Sequence, residues 1–196
     1  MIKRKNRRMK TETLVLASLM TALVVVFQCL ATYTTFFGPF STAIGLIPIV
    51  IGAAMCGPLV GAWLGFVFAI VVILTGGANL FFMFSVPGTI ITVLAKGVAC
   101  GFVSGVVYKA LKQINKTVAV ISAAIICPVV NTGIFLLGSA IFFIPFAEKI
   151  GSILGMSEAG FALFIALAFG NFLFELGMNA VLSPIIVRVI DMRKKK

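Results

Sequence analysis

Two long apolar runs, rich in glycine and alanine, lie between Pro48 and Tyr108 on either side of a short loop at 75–79. The second run carries Lys96 about ten residues from its nearer end, a depth of roughly 15 Å at about 1.5 Å of helical rise per residue. An ionisable side chain at such a depth in a membrane faces a partner or a cavity instead of lipid. Lys96 is therefore expected to meet a ligand or a buried counter-charge.

Composition excludes a water-soluble globule. Apolar residues make up 61% of the 196 residues and charged residues 11%, which leaves too few polar groups to cover a soluble surface. Segments that cross lipid must satisfy their backbone hydrogen bonds internally, as helices do. The sequence therefore predicts an all-α integral membrane protein with no soluble catalytic module.

The basic residues set the expected topology. Except for Lys96 and Lys149, they lie in three clusters that flank apolar runs, at 3–10, 109–116 and 188–196. Such clusters mark cytoplasmic ends, which predicts six transmembrane helices with both termini cytoplasmic. We expect a basic tail at 1–12, a single six-helix membrane domain at 13–190 and a second basic tail at 191–196. This placement favours orientation and contact with the lipid bilayer over nucleic-acid binding.

The predicted spans cover about 13–33, 43–56, 58–74, 86–111, 118–143 and 159–187. The second span is short, is interrupted by Pro48 and ends at a Gly-Pro turn. The outer loop after the third span contains Asn79, and Phe81 and two further phenylalanines follow it. This aromatic patch is interpreted either as an interfacial belt or as a lid over a ligand site.

Polar side chains recur inside the last two predicted spans. Asn171, Glu175 and Asn179 follow one another every four residues and so form one stripe on a helix. Asn131 lies near the middle of the fifth span, three residues after Pro128, and a polar residue beside a proline at this depth often lines a cavity. These residues are candidates for a polar site within the membrane.

Lys96 and Glu175 are candidates for a pair, because two paired intramembrane charges cost far less than two separate ones. One interpretation is a structural ion pair without ligand contact. The other is that both side chains contribute to substrate binding or form a proton or ion relay in an autonomous, gradient-driven carrier. The residues alone leave these alternatives open.

Catalysis is not indicated. The chain has no histidine, no GxSxG sequence and no phosphate-binding loop of the Walker type, so neither a nucleophile-base pair nor ATP hydrolysis is expected from it. Four cysteines lie in apolar runs without a CxxC motif and are expected to be small buried hydrophobes, with no metal site. We therefore expect a protein that is not an enzyme, and one that needs a partner if it uses ATP.

Ser18 and Ala22 place two small residues four apart in the first span, which allows another helix to approach closely. The approaching helix is either another span of this chain or a partner protein. Both interpretations are compatible with the sequence.

The string IPIVIGAAMCGPLVGAWLGFVFAI and the closing NFLFELGMNAVLSPIIVR resemble the substrate-binding subunits (S-components) of energy-coupling factor (ECF) vitamin transporters. Chain length, six predicted spans and basic termini agree with this resemblance, which is strongest to pantothenate-type members. It implies a vitamin site in the outer half of the bundle, between spans four to six and the outer loops. It also implies that Ser18 and Ala22 face a transmembrane coupling subunit, with Ser-xxx-Ala replacing the usual Ala-xxx-Ala.

The resemblance implies ATP-driven uptake in which two partner ATPase subunits hydrolyse the ATP and this chain holds no cofactor. It further implies a multi-pass protein of a prokaryotic plasma membrane. Pantothenate-type members often have arginine near the position of Lys96. Pantothenate is the best match among the substrates, and folate, a different carboxylated vitamin or a precursor would fit the same logic. The candidate substrate-binding residues are Lys96, Asn79, Asn131, Asn171, Glu175 and Asn179.

Overall fold

The computed structural model describes residues 11–33, 45–143, 169–182 and 188. Its elements are α1 (Thr11–Tyr33), α2 (Leu46–Cys56), α3 (Pro58–Leu74), the short α4 (Asn79–Phe82), α5 (Val86–Leu111), α6 (Lys116–Gly138), a π-helical turn (Ser139–Phe143) and the helical residues 169–182, here α7. Within these ranges every regular element is helical. Residues 1–10, 34–44, 144–168, 183–187 and 189–196, which include most of the predicted tails and part of the sixth predicted span, lie outside the described residues. Thr11 and Glu12, predicted to belong to the basic tail, instead begin α1, because the apolar helix extends two residues further toward the N-terminus.

Local sequence signals account for where the helices begin. The Ser85 side chain accepts a hydrogen bond from the Gly88 backbone N–H (3.2 Å) at the start of α5. The Asn115 side chain accepts from the backbone of Thr117 (2.8 Å) and Val118 (3.3 Å) at the start of α6. Each cap satisfies donors that the first turn of a helix leaves unpaired.

The α2–α3 turn depends on Gly57. Its φ of 101° lies in the region that favours glycine, and Pro58 then begins α3 with a fixed φ that suits a first helical position. The expected helix is short, with 11 residues, but Pro48 lies in its first turn and does not interrupt it; that α2 is a membrane span stays a prediction. At about 1.5 Å per residue it covers roughly half of a hydrocarbon core that is about 30 Å thick.

Three helical segments of the described chain are long and apolar enough to cross a membrane: Thr11–Thr32, Val86–Leu111 and Lys116–Phe142. Two shorter apolar helices, Leu46–Cys56 and Pro58–Leu74, accompany them. Large apolar side chains also cover much of the outer surface, as expected for a protein whose solvent is lipid. The expectation of an all-helical membrane protein is confirmed at this level.

Helices α3 and α5 pack antiparallel with their backbones in contact. A methyl group at Gly65 would collide with the carbonyl of Gly97, and one at Gly61 would collide with that of Gly101. Side chains larger than hydrogen would hold these helices apart, so the small-xxx-small spacing on both helices sets their distance. This contact fixes one face of α5 and leaves another free to meet α6.

The remaining contacts define the directions of α1 and α6. Trp63 Nε1 on α3 donates to Thr21 Oγ1 on α1 (3.3 Å), and the hydroxyls of Thr75 and Thr32 hydrogen-bond at 3.0 Å. Because the paired residue numbers rise together, α1 and α3 run parallel. Helix α6 runs antiparallel to α5, since Ser104 Oγ donates to the Ala123 carbonyl (3.1 Å) while Thr92 packs against Gly138.

Candidate functional site

Helix α7 presents its polar stripe to the protein interior. Asn171, Glu175 and Asn179 are 9%, 4% and 1% exposed, respectively, as the four-residue spacing predicted. Asn171 Nδ2 donates to Glu175 Oε1 at 2.8 Å, and Asn131 Nδ2 on α6 donates to Glu175 Oε2 at 3.5 Å. The carboxylate therefore joins α6 to α7 deep inside the bundle.

The directions of the three asparagine amides follow from their partners. A carboxylate and a backbone carbonyl only accept hydrogen bonds, so the amide nitrogen of each asparagine must point at its acceptor. Asn179 Nδ2 donates to the Glu175 backbone carbonyl at 2.9 Å. Among the described residues, the Oδ1 atoms of Asn131, Asn171 and Asn179 are buried without a hydrogen-bond partner.

Lys96 of α5 lies beside this cluster. Its ammonium is 5.2 Å from the ring centroid of Phe135, one turn beyond Asn131 on α6, and Glu175 lies within electrostatic range of it. Phe135 in turn packs edge-to-face against Phe81 of α4, with ring centroids 5.1 Å apart. The polar cluster between α5, α6 and α7 thus contains one cation, one carboxylate and several amide groups.

Phe81 is buried against Phe135, so this member of the aromatic patch points inward instead of joining an interfacial belt. Asn79, in the first turn of α4, is exposed, and its side-chain amide lies against Gly76. The described contacts do not link Asn79 to the cluster around Glu175. Asn79 therefore lies on the exposed side of α4, whereas Lys96 is half-buried and the other four candidates are buried in the interior.

Sequence reasoning missed three buried polar side chains. Gln28 on α1 is fully buried, and neither its Nε2 nor its Oε1 has a partner among the described residues. The same holds for the hydroxyls of Thr92 on α5 and Ser139 at the π-helical turn. Threonine and serine are common in membrane helices and usually bond their own backbone, so only the amide of Gln28, within an apolar span, offered a sequence signal.

A family model described as ECF transporter, substrate-specific component, matches residues 12–187. The chain belongs to this family. No curated protein and no solved structure matches the chain. As an ECF S-component it is a substrate-binding subunit of a membrane transporter and not an enzyme. The family assignment implies a small-molecule substrate and partners of the ECF module.

The S-component has an exposed small-residue face on α1. Ser18 and Ala22 are both exposed, and Ser18 Oγ donates to the Leu14 carbonyl at 3.0 Å, which satisfies the hydroxyl without a second helix. Within the described part of the chain, no helix packs over these two residues. Internal packing therefore does not account for the Ser-xxx-Ala spacing there.

The cysteines of the S-component are free thiols in the described chain. Cys100 and Cys127 are fully buried on α5 and α6, as small apolar residues would be, whereas Cys29 and Cys56 are half-buried. The described residues contain no group of three or more His, Cys, Asp or Glu side chains placed to hold a metal ion. The chemistry available in the interior is hydrogen bonding and charge.

Proposed function

We propose that this S-component captures a carboxylated vitamin, with pantothenate as the best match, at the outer face of a prokaryotic plasma membrane. The observation that carries the proposal is the cluster around Glu175, to which three asparagine amides donate while the Lys96 ammonium lies within its electrostatic range. Buried polar groups of this kind fix the orientation of a ligand in a site that is otherwise apolar.

Pantothenate offers chemistry that matches each part of the cluster. Its carboxylate suits the three N–H donors of Lys96, and its hydroxyls and amide suit asparagine side chains, which both donate and accept. Lysine acts as a point charge and not as the bidentate fork that arginine supplies. Folate, which also carries carboxylates, is the alternative candidate for the substrate of this site.

Partner subunits complete the proposed transporter. We assign Ser18 and Ala22 to the face that docks on a transmembrane coupling subunit, because they are small, exposed and one helical turn apart. Two ATPase subunits would hydrolyse ATP and drive release of the vitamin to the cytoplasm, with no cofactor in this chain. Phe81 and the Gly76 turn would close the site from the outer side.

An autonomous carrier is the second candidate. The observation that favours it is the electrostatic proximity of Lys96 and Glu175 within the membrane, since paired intramembrane charges also serve as proton or ion relays. Such a carrier would need a gradient and no ATPase. The two candidates therefore differ in their source of energy.

Uptake into proteoliposomes separates these candidates. Labelled pantothenate and labelled folate are offered to vesicles that contain the chain alone, the chain with its coupling and ATPase subunits, or the same complex with hydrolysis-deficient ATPases. We expect ATP-dependent pantothenate uptake by the active complex alone. Uptake by the chain alone under a proton gradient would refute the ATP-driven S-component mechanism. Uptake of folate but not of pantothenate would refute pantothenate as the substrate.

A further inference from the structure

The interior site is rich in acceptor atoms that have no hydrogen-bond partner within the described part of the chain. Because the amide nitrogens of Asn131, Asn171 and Asn179 point at acceptors of Glu175, their carbonyl oxygens face away from it. All three asparagines are at least nine-tenths buried, and their Oδ1 atoms have no partner among the described residues. The cluster therefore presents three buried acceptors beside a carboxylate.

Two hydroxyls, which can donate as well as accept, extend this polar set along α5 and α6. Thr92 lies one turn before Lys96, and Ser139 lies one turn after Phe135. Thr92 packs directly against Gly138, so the two hydroxyl-bearing turns are neighbours. Both hydroxyls are buried and unpartnered in the described part of the chain.

Thr89 shows that an unpartnered hydroxyl is not a general property of this helix. It is fully buried one turn before Thr92, yet its hydroxyl donates to the Ser85 carbonyl at 2.7 Å, the usual local solution for threonine in a helix. Buried polar atoms without partners are costly and call for a specific explanation. At Thr92, Ser139 and the three asparagines, a bound molecule would supply one.

We propose that the part of the ligand that enters the α5–α6–α7 interior carries several O–H or N–H donors, which pair with the oxygens of Thr92, Ser139, Asn131, Asn171 and Asn179. This inference rests on the proposed function, because it assumes that the cluster is the substrate site. A ligand whose polar groups are only carboxylate or other acceptors can bind Lys96 and the hydroxyl protons of Thr92 and Ser139, but it leaves the three amide oxygens unpaired and is repelled by Glu175. The site therefore selects hydroxylated or amine-bearing molecules and requires a carboxylate, where present, to lie toward Lys96.

Isothermal titration of the purified full-length protein with a panel of compounds tests this selectivity. Pantothenate, pyridoxine and riboflavin each carry two or more hydroxyls, whereas nicotinate and lipoate carry a carboxylate and no neutral donor. We expect at least one of the first three to bind, and nicotinate and lipoate to bind at least a hundredfold more weakly than the tightest of them.

Thr92→Val provides the matched variant, with Thr89→Val as its control on the same helix. Removing an unpaired hydroxyl should leave the thermal stability of the ligand-free protein equal or higher, while the bound probe loses about threefold to tenfold in affinity, as expected for one neutral hydrogen bond. Thr89→Val should leave probe affinity unchanged. Asn179→Leu leaves Asn131 and Asn171 in place as donors to the Glu175 carboxylate, and it should lower the affinity for the same probe at least tenfold.

The outcomes distinguish this inference from the vitamin assignment. Binding of pyridoxine or riboflavin but not pantothenate, with loss in Thr92→Val and Asn179→Leu, refutes pantothenate and supports the donor requirement. The inference is overturned if nicotinate or lipoate binds as tightly as the best hydroxylated probe, or if no hydroxylated probe binds. It is also overturned if the two folded variants bind like the native protein, or if Na⁺ or Ca²⁺ stabilises the protein in place of an organic probe.

Discussion

The ammonium of Lys96 lies 5.2 Å from the ring centroid of Phe135. This cation–π contact is worth about 0.5–2 kcal/mol, depending on desolvation. It holds the lysine of α5 against α6, at the level where Asn131 reaches Glu175 of α7. The charge is thus held at the edge of the polar cluster, where a ligand anion can approach it.

Replacing Lys96 by alanine should cost about 2–5 kcal/mol of pantothenate binding, because truncating one side of a desolvated charge pair leaves the other uncompensated. This corresponds to a roughly thirtyfold to several-thousandfold loss of affinity at 1.4 kcal/mol per decade, measured by isothermal titration. Lys109→Ala, at an exposed site near the end of the same helix, is the control. Near-native affinity in the double variant Lys96→Ala with Glu175→Ala would mean that Lys96 only neutralises Glu175.

Removing the Glu175 carboxylate should destabilise the bundle. Glu175→Ala leaves the amide donors of Asn131 and Asn171 buried without this acceptor, at about 1–3 kcal/mol for each unsatisfied group. Glu175→Gln retains one acceptor oxygen and should therefore lose less stability than Glu175→Ala. Unfolding in detergent measures the difference, with Leu173→Ala on the exposed face of α7 as control. Equal stability of the alanine and glutamine variants would contradict the importance of these hydrogen bonds.

The α3–α5 contact should not tolerate a methyl group. Gly65→Ala places its Cβ against the Gly97 carbonyl and should cost about 1–3 kcal/mol, as overpacking typically does. Gly133→Ala is the matched control, because a Cβ at Gly133 meets nothing within 4 Å in the described structure. That change should be neutral or stabilising by up to about 1 kcal/mol through helix propensity. Thermal unfolding of both variants tests the prediction, which fails if their order of stability is reversed.

A bulky residue on the exposed face of α1 should uncouple transport from binding. Ser18→Leu or Ala22→Phe would prevent close helix approach and should abolish complex-dependent uptake, while titration of the isolated S-component gives unchanged affinity. Val129→Leu, at a partly exposed site on α6, is the control and should transport normally. Full uptake by both α1 variants would show that this face is not the docking site.

Much of the helical order was predictable from local sequence. The predicted fourth span and α5 share the bounds 86–111, and the predicted third span coincides with α3. Apolar runs and the Gly57-Pro58 turn act within a few residues, so the sequence displays them directly. The common face of Asn171, Glu175 and Asn179 follows in the same way from helical periodicity.

Distances between helices required the tertiary structure. Glycines are frequent throughout the chain, but only the packed helices distinguish Gly65, which contacts a facing backbone, from Gly133, which has open space. The exposure of Ser18 and Ala22 was likewise undecided, since small-xxx-small spacing suits an internal contact and a docking face equally.

The sequence by itself determined that this protein is an all-helical membrane protein with Lys96, Asn131 and the α7 stripe placed within its apolar spans, because hydrophobicity and helical period are local properties. Only the tertiary structure decided that Lys96 rests on Phe135 and that Asn131 reaches Glu175. It also showed that, among the described residues, the hydroxyls of Thr92 and Ser139 have no partner and Asn79 has no contact with the cluster. The physical reason is that these contacts join helices that are far apart in the chain. How each helix is rotated about its own axis is fixed by its packing against the other helices, which the sequence of a single span does not encode.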